Sequence, residues 1–408
     1  MMRESSRIDV VRQTRIGNEM DIHCSEDNSR SLLFCFSHLR WDFVYQRPQH
    51  LLARAARSHR VVYFEEPTFE QTGQSFLRIV DALPRLRVVT PVMPHGTSPT
   101  EALQIQRRQL NELIAAEPPG RRIFWYYTPM ALRFSGHLDC DLCIYDCMDE
   151  LSAFKGAPRA LSEMESVLFE LADVVFTGGE SLYQAKRALH PAVYSLPSSI
   201  DAEHFKRARL PMADPSDQCG IPHPRIGFFG VIDERMDLAL VAQAVSALPH
   251  VHFVMLGPTA KIDPATLPTA PNLHWLGRKS YAELPFYLAN WQAGWMPFAL
   301  NESTRYISPT KTPEFLAAGL RTVSTAIMDV VRSYAAAGLV EIADAGNMPA
   351  KLKSVLDGPD ANWMQKVDAY LAGTSWDRTW AQMAELIERA GELQTSGTRR
   401  ETLQCSIG

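Results

Sequence analysis

Ser308–Thr325, SPTKTPEFLAAGLRTVST, reads as a loop, a short helix and a strand in immediate succession. Pro309 disfavours helix before it, Thr310 or Thr312 can cap, Pro313 suits a first turn, and Gly319 ends the helix after Ala318. The helix mouth then holds Lys311 and Glu314. An anion placed there would meet free N–H groups, the positive end of the helix dipole and the Lys311 ammonium together. Glu314 would repel that anion, so its role lies one step away, accepting hydrogen bonds from sugar hydroxyls. Taken alone, the segment also reads as an ordinary capped surface helix.

Outward from it the same unit repeats. Arg225–Ile232, His250–Pro258, Asn272–Gly277, Ala293–Phe298, Leu320–Thr325 and Gly338–Asp344 are short apolar runs of strand length. Helical patterns at Met236–Ala247, Tyr281–Leu288, Thr312–Ala318 and Ala350–Leu356 stand among them. Upstream, apolar runs at Ser31–Leu39, Arg60–Pro67, Leu86–Val92, Arg121–Pro129, Asp141–Glu150, Asp173–Gly179 and Ala192–Ser199 alternate with helices in the same way. Such alternation predicts an α/β fold, each sheet parallel and covered on both faces. The expected division is a disordered tail over 1–30, a Rossmann-like domain over 31–200 and a charged, proline-rich linker over 201–224. A second Rossmann-like domain over 225–372, a returning helix over 373–394 and a disordered tail over 395–408 complete it. Ligands of doubly wound sheets bind beyond the carboxyl ends of the strands, so two facing domains make a cleft.

Length and composition agree with this. The 408 residues exceed one ordinary core, and 46% hydrophobic with 21% charged residues is normal for a globular chain. The net charge of -5 gives no reason to expect nucleic acid as a partner. No apolar run has the roughly 20 residues of a membrane helix, and Met1–Arg15 is polar where a signal peptide is apolar, so a cytoplasmic location is expected. Seven irregularly spaced cysteines do not describe a disulfide framework. His137, Cys140, Cys143 and Cys147 have a spacing that could hold a metal, but a strand spreads them over two faces, and structural cysteines are the reading adopted.

Several loops carry candidate chemistry. His38, Arg40, Trp41, Asp42, Tyr45, Gln46 and Arg47 crowd the first strand-to-helix loop. Trp41 and Tyr45 could pack on a sugar ring and Arg40 and Arg47 could hold anionic groups; a loop merely pinned by its aromatic residues is the plainer alternative. Asp146, Asp149 and Glu150 cluster at a strand end, where one, Asp149 foremost, could take an acceptor's proton or orient His38 to do so. Asp149 could instead cap the next helix. Gly227 and Gly230 in GFFG lack the dinucleotide spacing, and no Walker lysine motif is present. Trp376 and Trp380, four residues apart, read as packing anchors of the last helix. Arg54, Arg57 and Arg60 make the first helix basic, which could favour peripheral contact with the inner membrane surface but fits a solvated face better.

Lys311-x-x-Glu314 followed by Ala-Ala-Gly, the VIDERMD loop, the segment His274–Asn290 and the segment Phe36–Leu51 together resemble the GT-B glycosyltransferases. The likeness is to the family-4-like group and its bacterial teichuronic-acid and exopolysaccharide types, over nearly all of Ser31–Leu393. The resemblance implies two Rossmann-like domains facing across a cleft, with the last helix crossing back to the first. It implies that Lys311 meets a donor diphosphate and Glu314 its ribose, with Arg235 as a second phosphate ligand and Thr310 and Thr312 beside them. It also implies that backbone groups at Gly277, Arg278 and Lys279 contact the base, UDP or GDP being the expected nucleotide. Two positions depart from the pattern: Tyr306 stands where a second carboxylate is usual, leaving Glu302 as a substitute, and Asp237 stands near an expected lysine. The implied activity is transfer of a sugar from a nucleotide-diphosphate sugar to a saccharide or lipid-linked acceptor in cell-envelope polysaccharide synthesis. It would be retaining, with no metal and no further cofactor. A sugar-nucleotide epimerase and a catalytically silent nucleotide-sugar-binding partner are the alternatives.

Overall fold

A computed structural model describes residues 11–13 and 31–396 of the chain. The first sheet is built from β1 (Val11–Gln13), β2 (Leu32–Ser37), β3 (Arg60–Glu65), β4 (Thr68–Glu70), β5 (Phe76–Leu83), β6 (Leu86–Pro94), β7 (Arg122–Tyr126), β8 (Leu142–Cys147), β9 (Val174–Thr177) and β10 (Val193–Ser195). Their spatial order is β1-β5-β6-β3-β2-β7-β8-β9-β10, with β4 beside β6. The second sheet contains β11 (Arg225–Phe229), β12 (His252–Leu256), β13 (Leu273–Gly277), β14 (Ala293–Met296), β15 (Arg321–Ser324) and β16 (Val340–Ile342), ordered β13-β12-β11-β14-β15-β16 and wholly parallel.

The central strands are buried from end to end, as their unbroken apolar runs require. Alternate residues of β2, β3 and β7 feed two cores. Phe34, Phe36, Phe64, Phe124 and Tyr126 face one side, and Leu33, Cys35, Tyr63 and Trp125 the other. In the core of the second domain, Phe228 and Trp295 from the sheet share one cluster with Trp291 and Phe315.

At the outer edge the first sheet departs from the sequence reading. β5 runs antiparallel to β6, joined by a tight turn in which Arg85 takes φ 62°. Leu77 and Ile79 are buried, Phe76, Arg78 and Val80 beside them only half-buried, and Asp81 and Leu83 exposed, so the strand lacks the continuous apolar run that marks the central strands. The expected tail over 1–30 lies outside the described residues except for Val11–Gln13, which pairs with β5. The last helix extends to Ser396, and the rest of the second expected tail is outside the described residues. A further helix, Ala361–Leu371, precedes it, and a short one, Ala202–Lys206, occupies the start of the linker.

The helix Trp376–Ser396 lies on the first domain. Trp376 stacks on His50 with ring centroids 4.5 Å apart, and Trp380 lies over Trp125 at 6.4 Å. Asp377 binds both Arg54 and Arg57 at 2.8 Å, and Arg60 pairs with Glu117. The three arginines that suggested a membrane-facing helix are therefore engaged within the protein. Among the described residues no helix is long and apolar enough to cross a membrane.

Candidate active site

The helix of the diagnostic segment spans Lys311–Ala317 and starts one residue earlier than the sequence suggests. Neither threonine caps it. Thr310 takes the N-cap place without a side-chain bond, and the buried Thr312 hydroxyl points at the Met296 sulfur, 3.5 Å away. Thr312 N–H donates to Pro309 O at 3.2 Å and Pro313 has no N–H, so two of the first-turn donors expected to face an anion are engaged or absent. Positive charge at this end therefore comes mainly from side chains.

Lys311 is half-buried under the end of β11. A Cβ on Gly230, where φ is 142°, would collide with the Lys311 side chain, so that position admits little but glycine. Burial lowers the Lys311 pKa, with Glu314, Asp233 and Asp149 pulling it back up and Arg235 pushing it further down. Arg235 binds Asp233 through Nε (3.0 and 3.1 Å) and Nη2 (2.6 Å), leaving Nη1 unengaged. Asp237 caps the helix Leu238–Ala247 by accepting from Leu240 N–H at 2.9 Å, which accounts for an aspartate where the family pattern has a lysine.

Across the cleft stands Asp149, from the first domain. It caps neither the one-turn helix Leu151–Ala153, whose N-cap is Glu150, nor the helix Ala160–Leu171, whose N-cap is Arg159. Burial raises its pKa, opposed by Arg235, Lys311 and Arg47. The cations of one domain and the carboxylate of the other thus share one electrostatic neighbourhood. His38, nearby in the first loop, is held neutral, its pKa lowered to about 4 by burial and then by Lys261. Its Nδ1 is buried without a hydrogen-bond partner.

Further contacts bridge the domains. Arg235 and Lys261 both lie over the Phe154 ring, at 5.4 and 5.0 Å, Arg278 donates to the Asp42 carbonyl, and Tyr45 packs on Tyr281 at 4.8 Å. Asp329 accepts from Ser181 N–H (3.0 Å) and from its hydroxyl. Gly179 makes room for this: a Cβ there would lie 2.6 Å from that of Ser308.

Other expected site residues are placed elsewhere. Arg47, read as holding an anionic group, is fully buried and paired with Asp146 through Nε (3.0 and 3.1 Å) and Nη2 (2.8 Å), with Nη1 on Leu196 O. Arg40 is held by Glu65 and the Glu66 and Pro67 carbonyls. Trp41 packs edge-on against Tyr63 at 5.1 Å, and Lys279 pairs with Asp217. Glu150 pairs with Lys186 at 2.8 Å. Glu302 is exposed beside Arg305, and Tyr306 packs against the first-domain core. Gly277 takes φ 70° with open space before it, where a ligand could approach the backbone. The Asp-x-Asp triplet Asp139-Cys140-Asp141 lies at the amino end of β8, where Asp141 accepts from Arg122 N–H at 2.7 Å.

No family model matches the chain. Over 233 residues, 53% of the chain, it is 28% identical to the Bacillus subtilis (strain 168) protein named "Putative teichuronic acid biosynthesis glycosyltransferase TuaH". The match spans 58% of that relative's length. Solved structures match far more of the chain at lower identity. A sucrose-phosphate synthase from Thermosynechococcus elongatus aligns with TM-score 0.66 and 13% identity over 90% of this chain and 100% of its own. An E. coli trehalose-6-phosphate structure bound with UDP-2-fluoro glucose gives 0.64 and 10%, over 88% and 99%. WaaG, a glycosyltransferase involved in lipopolysaccharide biosynthesis, gives 0.60 and 14%, over 87% and 99%. The chain has the GT-B fold. In GT-B terms, Lys311, Arg235 and Asp149 lie where the carboxyl ends of two facing sheets meet.

Within this GT-B cleft, Tyr281 and Phe154 escaped the sequence reading. Tyr281 stacks on His204 at 4.3 Å, its hydroxyl is buried without a partner, and Glu314 acts on it electrostatically. Its place right after the Gly277 turn was the available signal. Phe154 had none, since a lone aromatic in a polar loop is common.

Burial pushes the Glu314 carboxyl up to about 8, against the pull of Lys311. An unfolded glutamate ionises near 4.3, so between about pH 4.5 and 8 the folded chain holds a proton that the unfolded chain has lost. Stability should fall as pH rises through that window. Glu314→Gln is expected to flatten this slope and raise the melting temperature at pH 8, read by thermal denaturation from pH 5 to 9; an unchanged profile would contradict the assignment.

Proposed function

We propose that the chain is a glycosyltransferase that moves a sugar from a nucleotide-diphosphate sugar to a saccharide or lipid-linked acceptor in cell-envelope polysaccharide synthesis. The observation that carries this reading is the meeting of Lys311 and Arg235 with Asp149 across the cleft, beside the buried Glu314. Two cations at one point suit the charge that grows on a leaving diphosphate, and stabilising such charge is usually the main way a site of this kind lowers the barrier. Glu314 would accept from the ribose hydroxyls and the open backbone at Gly277 would face the base. The structural neighbour bound with UDP-2-fluoro glucose and the teichuronic-acid relative support a nucleotide-sugar donor and an envelope acceptor.

On this reading Arg235 presents Nη1 to the phosphates while Asp233 fixes its plane. Neutral His38, or Asp149, would take the acceptor's proton; an imidazole already charged could not. Transfer is read as metal-independent and retaining, and UDP or GDP as the carrier, by resemblance to the family.

The test is release of nucleoside diphosphate from UDP- and GDP-sugars, with and without saccharide and lipid-linked acceptors. Acceptor-dependent release from one nucleotide family is expected. Nucleotide binding with no release under any acceptor would contradict transfer and favour a silent binding partner.

A further inference from the structure

We infer that Phe154 is a positioning residue for the phosphate-binding arginine: from the first domain its ring covers the face of Arg235 and so sets that guanidinium for the diphosphate when the two domains face each other. This rests on the transferase reading and names a further determinant of the same site. Among the described residues Phe154 stands outside every hydrophobic core cluster, although it is half-buried. Its ring meets the second domain instead, with the Arg235 guanidinium 5.4 Å and the Lys261 ammonium 5.0 Å from the centroid. The negative face of an aromatic ring attracts a cation at this range, and more strongly where water is excluded.

Both sides of this contact are held in place. Phe154 directly follows the one-turn helix Leu151–Ala153, whose N-cap Glu150 pairs with Lys186 at 2.8 Å, so the loop that carries Asp149 and Phe154 is fastened to the first domain. On the other side Ile232 bridges to Thr259, with Ile232 N–H on Pro258 O at 3.0 Å and Ala260 N–H on Ile232 O at 2.9 Å. The loops that bear Arg235 and Lys261 are thereby tied together. Lys261 takes φ 60°, which a residue with a side chain rarely adopts, and backbone strain of this kind gathers at functional clefts. Asp233 holds one edge of the Arg235 guanidinium through Nε and Nη2. A plane held along one edge can still tilt about it. The Phe154 ring on its face removes that freedom and keeps water off the charge, which leaves Nη1 aimed and strengthens its pull on a phosphate. A leucine would occupy much of the same space without attracting either cation.

The experiment is calorimetric titration with UDP and GDP of the wild type, Phe154→Leu, Phe154→Tyr, Arg235→Gln and the double variant Phe154→Leu with Arg235→Gln. The nucleotide that the wild type binds should bind roughly tenfold more weakly to Phe154→Leu, and within about twofold of the parent to Phe154→Tyr, which keeps the aromatic face. Added to Arg235→Gln, Phe154→Leu should change affinity by less than about twofold, because the ring acts through the guanidinium. Phe154→Leu should keep the parent's melting temperature, since the ring lies outside the cores. Equal binding by Phe154→Leu and the wild type would overturn the inference, as would an equal loss from Phe154→Leu with and without Arg235. A wild type that binds neither nucleotide would refute the donor site and this inference with it, whereas normal binding with Phe154 uncoupled from Arg235 refutes the inference alone.

Discussion

Lys311→Ala is expected to lower the rate of sugar transfer by roughly a hundred- to a thousandfold while leaving the chain folded. The lysine is the cation that the sequence, the fold and the electrostatics place at the same point. Gly230 lacks a Cβ where the Lys311 side chain passes, so two separate segments are shaped around it. In the free protein the ammonium is disfavoured by burial and by Arg235, and held by Glu314, Asp233 and Asp149. A diphosphate would relieve that disfavoured charge, and more so as negative charge grows on the leaving group. Removing the amine should therefore cost more in turnover than in stability. Lys311→Arg should not restore activity, because the larger guanidinium has no room beside Gly230. Steady-state kinetics against melting temperature separates these effects; a variant that keeps more than a tenth of wild-type turnover would exclude this role.

The second large effect is on folding. Arg47→Met should destabilise the first domain by about 3–5 kcal/mol, because Asp146 would keep a buried charge with no counter-charge. Both side chains are inaccessible to solvent, and the pair ties the start of the first helix to the end of β8 and to Leu196. Asp146→Asn should cost a comparable amount by the opposite charge. The double variant Arg47→Met with Asp146→Leu should recover most of the loss, since a well-packed apolar pair often matches a buried ion pair. Denaturant unfolding of the three variants measures this. Additive losses in the double variant would mean that the two residues act independently.

Arg47 also shows what a sequence conceals. A loop dense in arginine and tryptophan reads as a binding surface, and only packing shows that Arg47, Arg40 and Trp41 fasten the loop to β3 and β8 instead. The partners that engage them lie 22 to 149 residues away, so no local pattern marks them. The placing of Lys311 and Glu314 together was legible because it depends on one short helix and the strand after it. The parallel core strands were legible because burial on both faces leaves an unbroken apolar run. β5 was not, because a strand only partly buried, with Arg78 and Asp81 among its residues, shows no continuous apolar run. Asp149 was legible as a carboxylate at a strand end, but its closeness to Lys311 and Arg235 exists only once two domains face each other.

The most direct measurement is isothermal titration of the purified chain with UDP and GDP, wild type beside Lys311→Ala and Glu314→Gln. The site described here predicts binding of one nucleotide by the wild type, at least tenfold weaker in each variant. Folded wild-type protein that binds neither nucleotide, or variants that bind as tightly as the parent, would contradict it.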